Sequence, residues 1–438
     1  MIKKYFLIVA LLLTGYMVKA QDLLSKSDAL MIVMENNFDV KLSQEQIKIA
    51  ETNTSIYNSG YLPTLTGNLG TTYNSDNISV EFQDGRETEL TGATSNSRNA
   101  GLNLNYLIFD GFNRKFNMQR NEEFLNRGQL ALRATLESTI LSLFGTYYAV
   151  AQSQQNVANL SETLTISKER LLRVEYGYEY GRSSRLDVSN AQVDVYTDSI
   201  NVLNATQNLQ NTKRDLNYIL GLPANNVFNI DTTVNFSTTI DKSLFLEGLD
   251  QANVEVLIAE SDITINRQST KISKSNLYPT LSLNGGYNYR LGNNNSASFT
   301  ASNSSTGLSG GLNLGWNIFD GGNTRTNTEV AKINENISIV SLDQLKSNLL
   351  VTFENAWGDY QNKLFVVDAQ ENNLLANRMN FDRTVEQYKL GQINSIDFRN
   401  AQRNLLSAEV GLTQAKFDAK RAELLLYQIS GKITEAEY

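Results

Sequence analysis

The sequence predicts an α+β membrane protein made of two copies of one helix–strand–strand–helix–helix unit. Three observations predict it. The segment 101–111 (GLNLNYLIFDG) returns as 311–321 (GLNLGWNIFDG), with eight of eleven positions identical, and 178–192 (YEYGRSSRLDVSNAQ) returns as 388–402 (YKLGQINSIDFRNAQ) at the same offset. Short runs alternate apolar and polar residues with period two. Only 3 Pro occur in 438 residues, which permits very long uninterrupted helices.

The chain opens with Lys3 and Lys4, an apolar run from Tyr5 to Met17, then Val18-Lys19-Ala20. That order reads as a secretory signal peptide over 1–20, too short to span a bilayer comfortably. The first repeat occupies 21–221, a linker rich in Asn, Thr and Ser occupies 222–242, the second repeat occupies 243–431, and a tail covers 432–438. Gly221 at the end of one copy matches Gly431 at the end of the other.

Each copy begins with a helix, about 27–58 and 243–276. The first has a possible break at 35–40, and 252–256 stands at the matching place. Pro63 and Pro279 stop these helices and open strands. Leu65, Leu69 and Tyr73 alternate with Thr66, Asn68 and Gly70. Leu102, Leu104, Tyr106 and Ile108 oppose Gly101, Asn103 and Asn105. Leu281, Leu283, Tyr287 and Tyr289 oppose Ser282, Asn284, Gly286 and Asn288. Leu312, Leu314, Trp316 and Ile318 oppose Gly311, Asn313, Gly315 and Asn317. A half-buried soluble sheet would alternate in the same way. Export and strands of about 9–11 residues favour an outer-membrane barrel. The segments 74–99 and 290–309 read as long polar external loops. Tyr106, Tyr289 and Trp316 are candidate membrane-interface anchors.

Long helices follow over 112–178 and 322–388, each a rod of roughly 100 Å. Shorter return helices cover about 185–220 and 395–430. Leu186, Val193, Ile200, Leu209 and Leu216 suggest a heptad seam, as do Ile396, Val410, Phe417 and Leu424, with Arg403 interrupting. Between long and return helices, Gly181 and Gly391 fit left-handed C-caps, while Ser184-x-x-Asp187 and Asn394-x-x-Asp397 fit helix N-caps with an acid at the third position.

Composition narrows the function. The chain has 0 Cys and 0 His, so thiol and imidazole nucleophiles, Ser-His-Asp triads and the usual zinc sites are excluded. No cofactor, metal or catalytic residue is expected, and no Gly-rich phosphate loop is present. The net charge of −8 argues against a nucleic-acid partner. Four strands cannot close a barrel, and open edges are not tolerated in lipid, so an inserted chain must oligomerise. Two copies would give eight strands with a filled interior; three would give twelve and leave a pore.

With both copies in view, the chain resembles the TolC-like outer membrane efflux proteins. The resemblance rests on the "YLPTL" and "YPTL" helix-to-strand junctions, the two "IFDG" strand-to-helix junctions, and the paired 178–192 and 388–402 motifs. It covers essentially the whole mature chain. It implies a homotrimer with a twelve-stranded barrel in outer-membrane lipid, continuing into a twelve-helix tunnel in the periplasm. It implies a passive export duct that works with a periplasmic adaptor and an inner-membrane transporter, in efflux or type I secretion. It assigns Gly181, Arg182, Ser183, Ser184, Gly391, Gln392, Ile393 and Asn394 to adaptor contact. It places Asp187, Tyr388, Asp397 and Asn400 at the periplasmic aperture. Two positions depart from the family pattern. A second acid is replaced by Asn400, and an Arg that pairs with a neighbouring chain is replaced by Ile393. Arg182 and Arg185 are candidates to substitute for it. A structural or adhesive coiled-coil envelope protein is the competing reading. It accounts for the helices but not for the alternating strand pairs.

Overall fold

The computed structural model describes residues 23–234, 236 and 240–436. The expected signal peptide lies outside the described residues. The chain divides into two compact units, and each takes residues from both sequence copies: one comprises 1–45, 130–257 and 344–438, the other 46–129 and 258–343.

The second of these units holds a four-stranded antiparallel sheet in which each strand pairs with the next along the chain. The strands are β2 (Thr64–Glu81), β3 (Glu87–Phe109), β5 (Thr280–Asn293) and β6 (Ser302–Gly315). Pro63 and Pro279 stand immediately before β2 and β5, where a missing N–H costs no ladder bond. The strands run further than the apolar alternation suggested. Most of 74–99 and 290–309 is strand rather than loop, and the connections shrink to 82–86 and 294–301. Pairing explains the difference: Asn74–Asp76 and Ile78–Glu81 continue the ladder with β3 across one irregularity, so backbone bonding carries the hairpin past its apolar rows. At the other end β6 stops at Gly315, so Trp316 and Ile318 lie outside the strand. The Trp316 indole instead donates to the Leu277 carbonyl at 3.1 Å.

The IFDG motifs start the long helices, α3 (Asn113–Glu179) and α8 (Asn323–Lys389), of 67 residues each. Asp110 accepts from the Arg114 backbone N–H at 3.0 Å and pairs with its guanidinium at 3.0 Å. Asp320 accepts from the Thr324 N–H at 2.8 Å. Each carboxylate thereby satisfies a free donor of a first turn.

Among its described residues, the regular structure of the other unit is helical apart from a two-residue parallel pairing of β1 (Leu23–Leu24) with β4 (Asn229–Ile230). The linker contributes that second strand, which the sequence did not suggest. Tyr147 fixes it: its hydroxyl donates to the Leu24 carbonyl at 2.8 Å and accepts from the Asp231 N–H at 3.1 Å. Around it Phe144, Tyr148, Leu216, Leu220 and Leu424 form the main core. The return helices are α4 (Arg185–Ile219) and α9 (Ser395–Ile429). The opening helix of each copy is broken, as expected. Here α1 (Lys26–Asn36) gives way to α2 (Phe38–Asn53) at Asn37. In the second copy α5 (Lys242–Leu246), α6 (Leu249–Ala252) and α7 (Val254–Ser275) follow one another, with the matching break at Asn253.

The expected heptad seam is only partly buried. Leu216, Phe417 and Leu424 are interior, but Leu186, Val193, Ile200 and Ile396 are exposed. The buried seam is made of small residues instead: Ala401, Ala408, Ala415 and Ala422 on α9, and Ala191 and Ala205 on α4. Small side chains let helix axes approach closely. That leaves the larger apolar stripe of α4 uncovered.

Candidate functional site

Register sorts the sheet into two faces. One carries Thr66, Asn103, Gly286 and Ser309 in a row, and beside it Asn68, Gly101, Asn288 and Gly307. The opposite face carries Gly67, Leu102, Tyr287 and Leu308, then Leu69, Ala100, Tyr289 and Thr306. The apolar face is bare: Leu69 is 90% and Leu308 85% exposed. A face of this kind is not left to water. On β5 the apolar positions run from Leu281 to Leu291. Ten residue steps of about 3.3 Å, tilted by about 40°, span about 25 Å, the height of the apolar band of an outer-membrane barrel. Tyr106 and Tyr289 lie toward opposite ends of this band, while Trp316 lies past the end of β6. Both β2 and β6 are edge strands with one unpaired side.

The turns between long and return helices form the second region. After α3, Arg182 N–H donates to the Gly177 carbonyl and Gly181 N–H to the Tyr178 carbonyl. After α8, Gln392 and Gly391 donate in the same way to Gln387 and Tyr388. Gly181 and Gly391 both have φ of +72°. These are Schellman caps that need a left-handed residue, as the sequence suggested. The chain then enters α4 through a reciprocal capping box. Ser184 Oγ accepts from the Asp187 N–H at 3.2 Å, and Asp187 Oδ2 accepts from the Ser184 N–H at 2.9 Å. Hydrogen bonds from the Ser184 hydroxyl and N–H hold the Asp187 carboxyl below the usual range. At α9, Asn394 Oδ1 accepts from the Asp397 N–H at 2.8 Å.

A cleft of about 850 Å³ brings the two turns together. Asp187, Tyr388, Arg182, Ser183, Gly391, Ile393 and Asn394 line it. Asp397 and Asn400 do not line it; both are exposed at the start of α9. Gly181, Ser184 and Gln392 are exposed turn residues. The Tyr388 ring packs on Phe398 with centroids 4.7 Å apart, within an aromatic cluster that includes Phe381.

Sequence reasoning missed a charged network just inside the turns. Arg399 grips Asp198 with both terminal nitrogens, each at 2.7 Å. It also lies 3.4 Å from Asp194, which pairs with Arg170 as well. Burial alone would lower the Arg399 pKa, but Asp198 and Asp194 hold the guanidinium above its ordinary value. A signal was present: Asp198 falls seven residues from both Ala191 and Ala205, a charge in an otherwise small apolar seam.

A profile of the outer membrane efflux protein family matches residues 30–222 and 247–432. Outer membrane efflux protein BepC of Brucella suis is 22% identical over 441 residues, covering 98% of this chain and 91% of its own. Outer membrane protein TolC of Vibrio cholerae is 23% identical over 363 residues, covering 82% and 81%. Among solved structures, the Campylobacter jejuni CmeC outer membrane channel superposes with a TM-score of 0.77 at 17% identity, covering 93% of this chain and 85% of that one. The family match spans both copies of the repeat, and the bare apolar face of the sheet accords with a place in the outer membrane. The chain is thus a member of the outer membrane efflux protein family.

Proposed function

We propose that the chain forms, as a homotrimer, a passive export duct across the outer membrane and periplasm. It works with a periplasmic adaptor and an inner-membrane transporter in efflux of small molecules or in type I secretion. The observation that carries this reading is the two-faced sheet with two open edges. Three copies would pair β6 of one with β2 of the next, giving twelve strands and no free edge. The Leu and Tyr face then meets lipid, and the Asn, Ser, Thr and Gly face lines a wet lumen. The uncovered stripe of Leu186, Val193 and Ile200 is the kind of surface that a neighbouring copy would cover. In this reading the linker 222–242 joins the two repeats, and the segment 432–438 follows the second.

In this reading the 181–184 and 391–394 turns meet the adaptor. Asp187 and Asp397, repeated by symmetry, form carboxylate rings at the aperture that favour cations. Tyr388 and Asp397 help hold the aperture shut, and Asn400 leaves the second ring weaker. Tyr106 and Tyr289 anchor the two interfaces, with Trp316 beyond the strand. The duct has no reaction to catalyse and no cofactor to hold.

The deciding experiment is single-channel conductance in a planar bilayer, with the mass of the detergent-solubilised complex. Discrete ohmic channels from a trimer support the proposal; a monomer without conductance sinks it. Asp397→Ala and Tyr388→Phe should raise conductance, and no change in either would remove them from the aperture. Gly391→Trp should abolish efflux while the trimer still inserts.

A further inference from the structure

We propose that Arg399 is the positioning residue of the aperture. It sets the first turn of α9, which carries Asp397, against α3 and against α4, which carries Asp187. This rests on the export-duct reading. The network spans three helices. From α9, Arg399 Nη1 and Nη2 donate to Asp198 Oδ2 and Oδ1 on α4, and Nη1 also reaches Ser167 Oγ on α3 at 3.2 Å. One turn further, Gln402 Nε2 donates to the Thr163 carbonyl on α3 at 2.9 Å. Asp198 is 3% exposed, Gln402 2%, and Ser167 fully buried.

A carboxylate taken out of water must be matched by a fixed partner, and a two-pronged guanidinium supplies one geometry only. A slip of α9 by one turn, about 5.4 Å, would carry the Arg399 fork away from Asp198 and Gln402 away from the Thr163 carbonyl. The network therefore selects one register. Arg399 lies two residues after Asp397, and Asp198 about three turns after Asp187. The positions of both aperture carboxylates follow from this one buried contact. At the turn itself, Ile393 and Asn400 carry no charge, and Arg182 and Arg185 are exposed. The charged tie sits in the interior instead.

The test compares wild type with Arg399→Gln, Arg399→Lys, Asp198→Asn and the charge swap Arg399→Asp/Asp198→Arg, by conductance and reversal potential in a KCl gradient. Arg399→Gln and Asp198→Asn should raise conductance at least twofold and shift the reversal potential. Arg399→Lys, which keeps charge but loses the fork, should fall between. Recovery toward wild type in the charge swap supports the contact directly. A conducting wild type with unmoved conductance and selectivity in Arg399→Gln overturns the proposal, even if melting drops. Where Arg399→Gln fails to assemble, unmoved values in Arg399→Lys overturn it equally. A wild type that never conducts overturns the duct reading itself, a distinct result.

Discussion

Asn37 and Ile219 are joined by a hydrogen bond from Asn37 Nδ2 to the Ile219 carbonyl at 2.9 Å, and Asn253 makes the same bond to Ile429 at 2.8 Å. Each buried amide also caps the next helix. Asn37 Oδ1 accepts from the Asp39 and Val40 N–H groups, and Asn253 Oδ1 from Glu255 and Val256. One side chain per copy thus satisfies the end of a return helix and the start of another helix. Asn37→Ala and Asn253→Ala should each destabilise by about 1–3 kcal/mol. Asn37→Asp should cost more than Asn37→Ala, because the cap survives but an acceptor then faces the Ile219 carbonyl. Urea unfolding of the solubilised protein checks the order.

Beside these amides the chain turns sharply at Gly221 and Gly431, with φ of +66° and +69°. A methyl group on Gly221 would lie 2.4 Å from the Asn36 carbonyl oxygen, and on Gly431 2.3 Å from that of Ala252. Gly181 has the same handedness but open space around it. Gly181→Ala should cost about 1–2 kcal/mol, the left-handed penalty alone. Gly221→Ala and Gly431→Ala should cost roughly twice that or more, since backbone must move. Equal losses at the three sites would show that the close approach contributes nothing.

These contrasts mark what the sequence could and could not disclose. The repeat, the broken opening helices, both Pro junctions and the glycine turns were legible, because each is local chemistry at fixed spacing. The length of β2 and β3 was not. It depends on pairing between residues such as Ser79 and Glu89, whose side chains carry no apolar alternation. Of the Arg399 network only Asp198 shows in the sequence, by its spacing from Ala191 and Ala205; the pairing does not, since Asp198 and Arg399 lie 201 residues apart and only the fold joins them. The large residues at heptad spacing are mostly exposed, and the alanines are the ones that pack.

That alanine seam is itself testable. Ala408 is 2% exposed on α9, so Ala408→Leu should overpack the helix contact and cost about 1–3 kcal/mol. Ile200→Ser lies on the exposed stripe and should leave the single chain within about 0.5 kcal/mol while weakening association of copies. Calorimetry and mass measurement in detergent separate the two effects.

The Asp187 capping box carries a pH dependence. Its folded carboxyl titrates below the ordinary value because Ser184 hydrogen bonds favour the charged form. The contribution is therefore complete above the ordinary carboxylate range and is lost as pH falls through the depressed folded value. Hydrogen exchange of the 182–190 peptide, corrected for intrinsic rates, should lose protection between pH 7 and a pH below the ordinary carboxylate range. Asp187→Asn should remove that difference. A wild-type peptide equally protected at both pH values would count against the box.

Leu308 and Ser309 are adjacent in β6 and lie on opposite faces of the sheet. Leu308 shares the row of Leu102 and Tyr287, near the middle of the apolar band, whereas Ser309 shares the row of Asn103 and Gly286. If the apolar face meets lipid, Leu308→Arg places a guanidinium near the bilayer centre at a cost of about 2–4 kcal/mol. Ser309→Arg places the same group one residue away in a wet lumen, at little cost to insertion. Recovery of inserted protein from membranes should fall for Leu308→Arg and hold for Ser309→Arg. The reverse order would turn the sheet inside out, because a one-residue shift exchanges every side chain between the faces. Equal recovery would remove the lipid contact on which the membrane reading of this face depends.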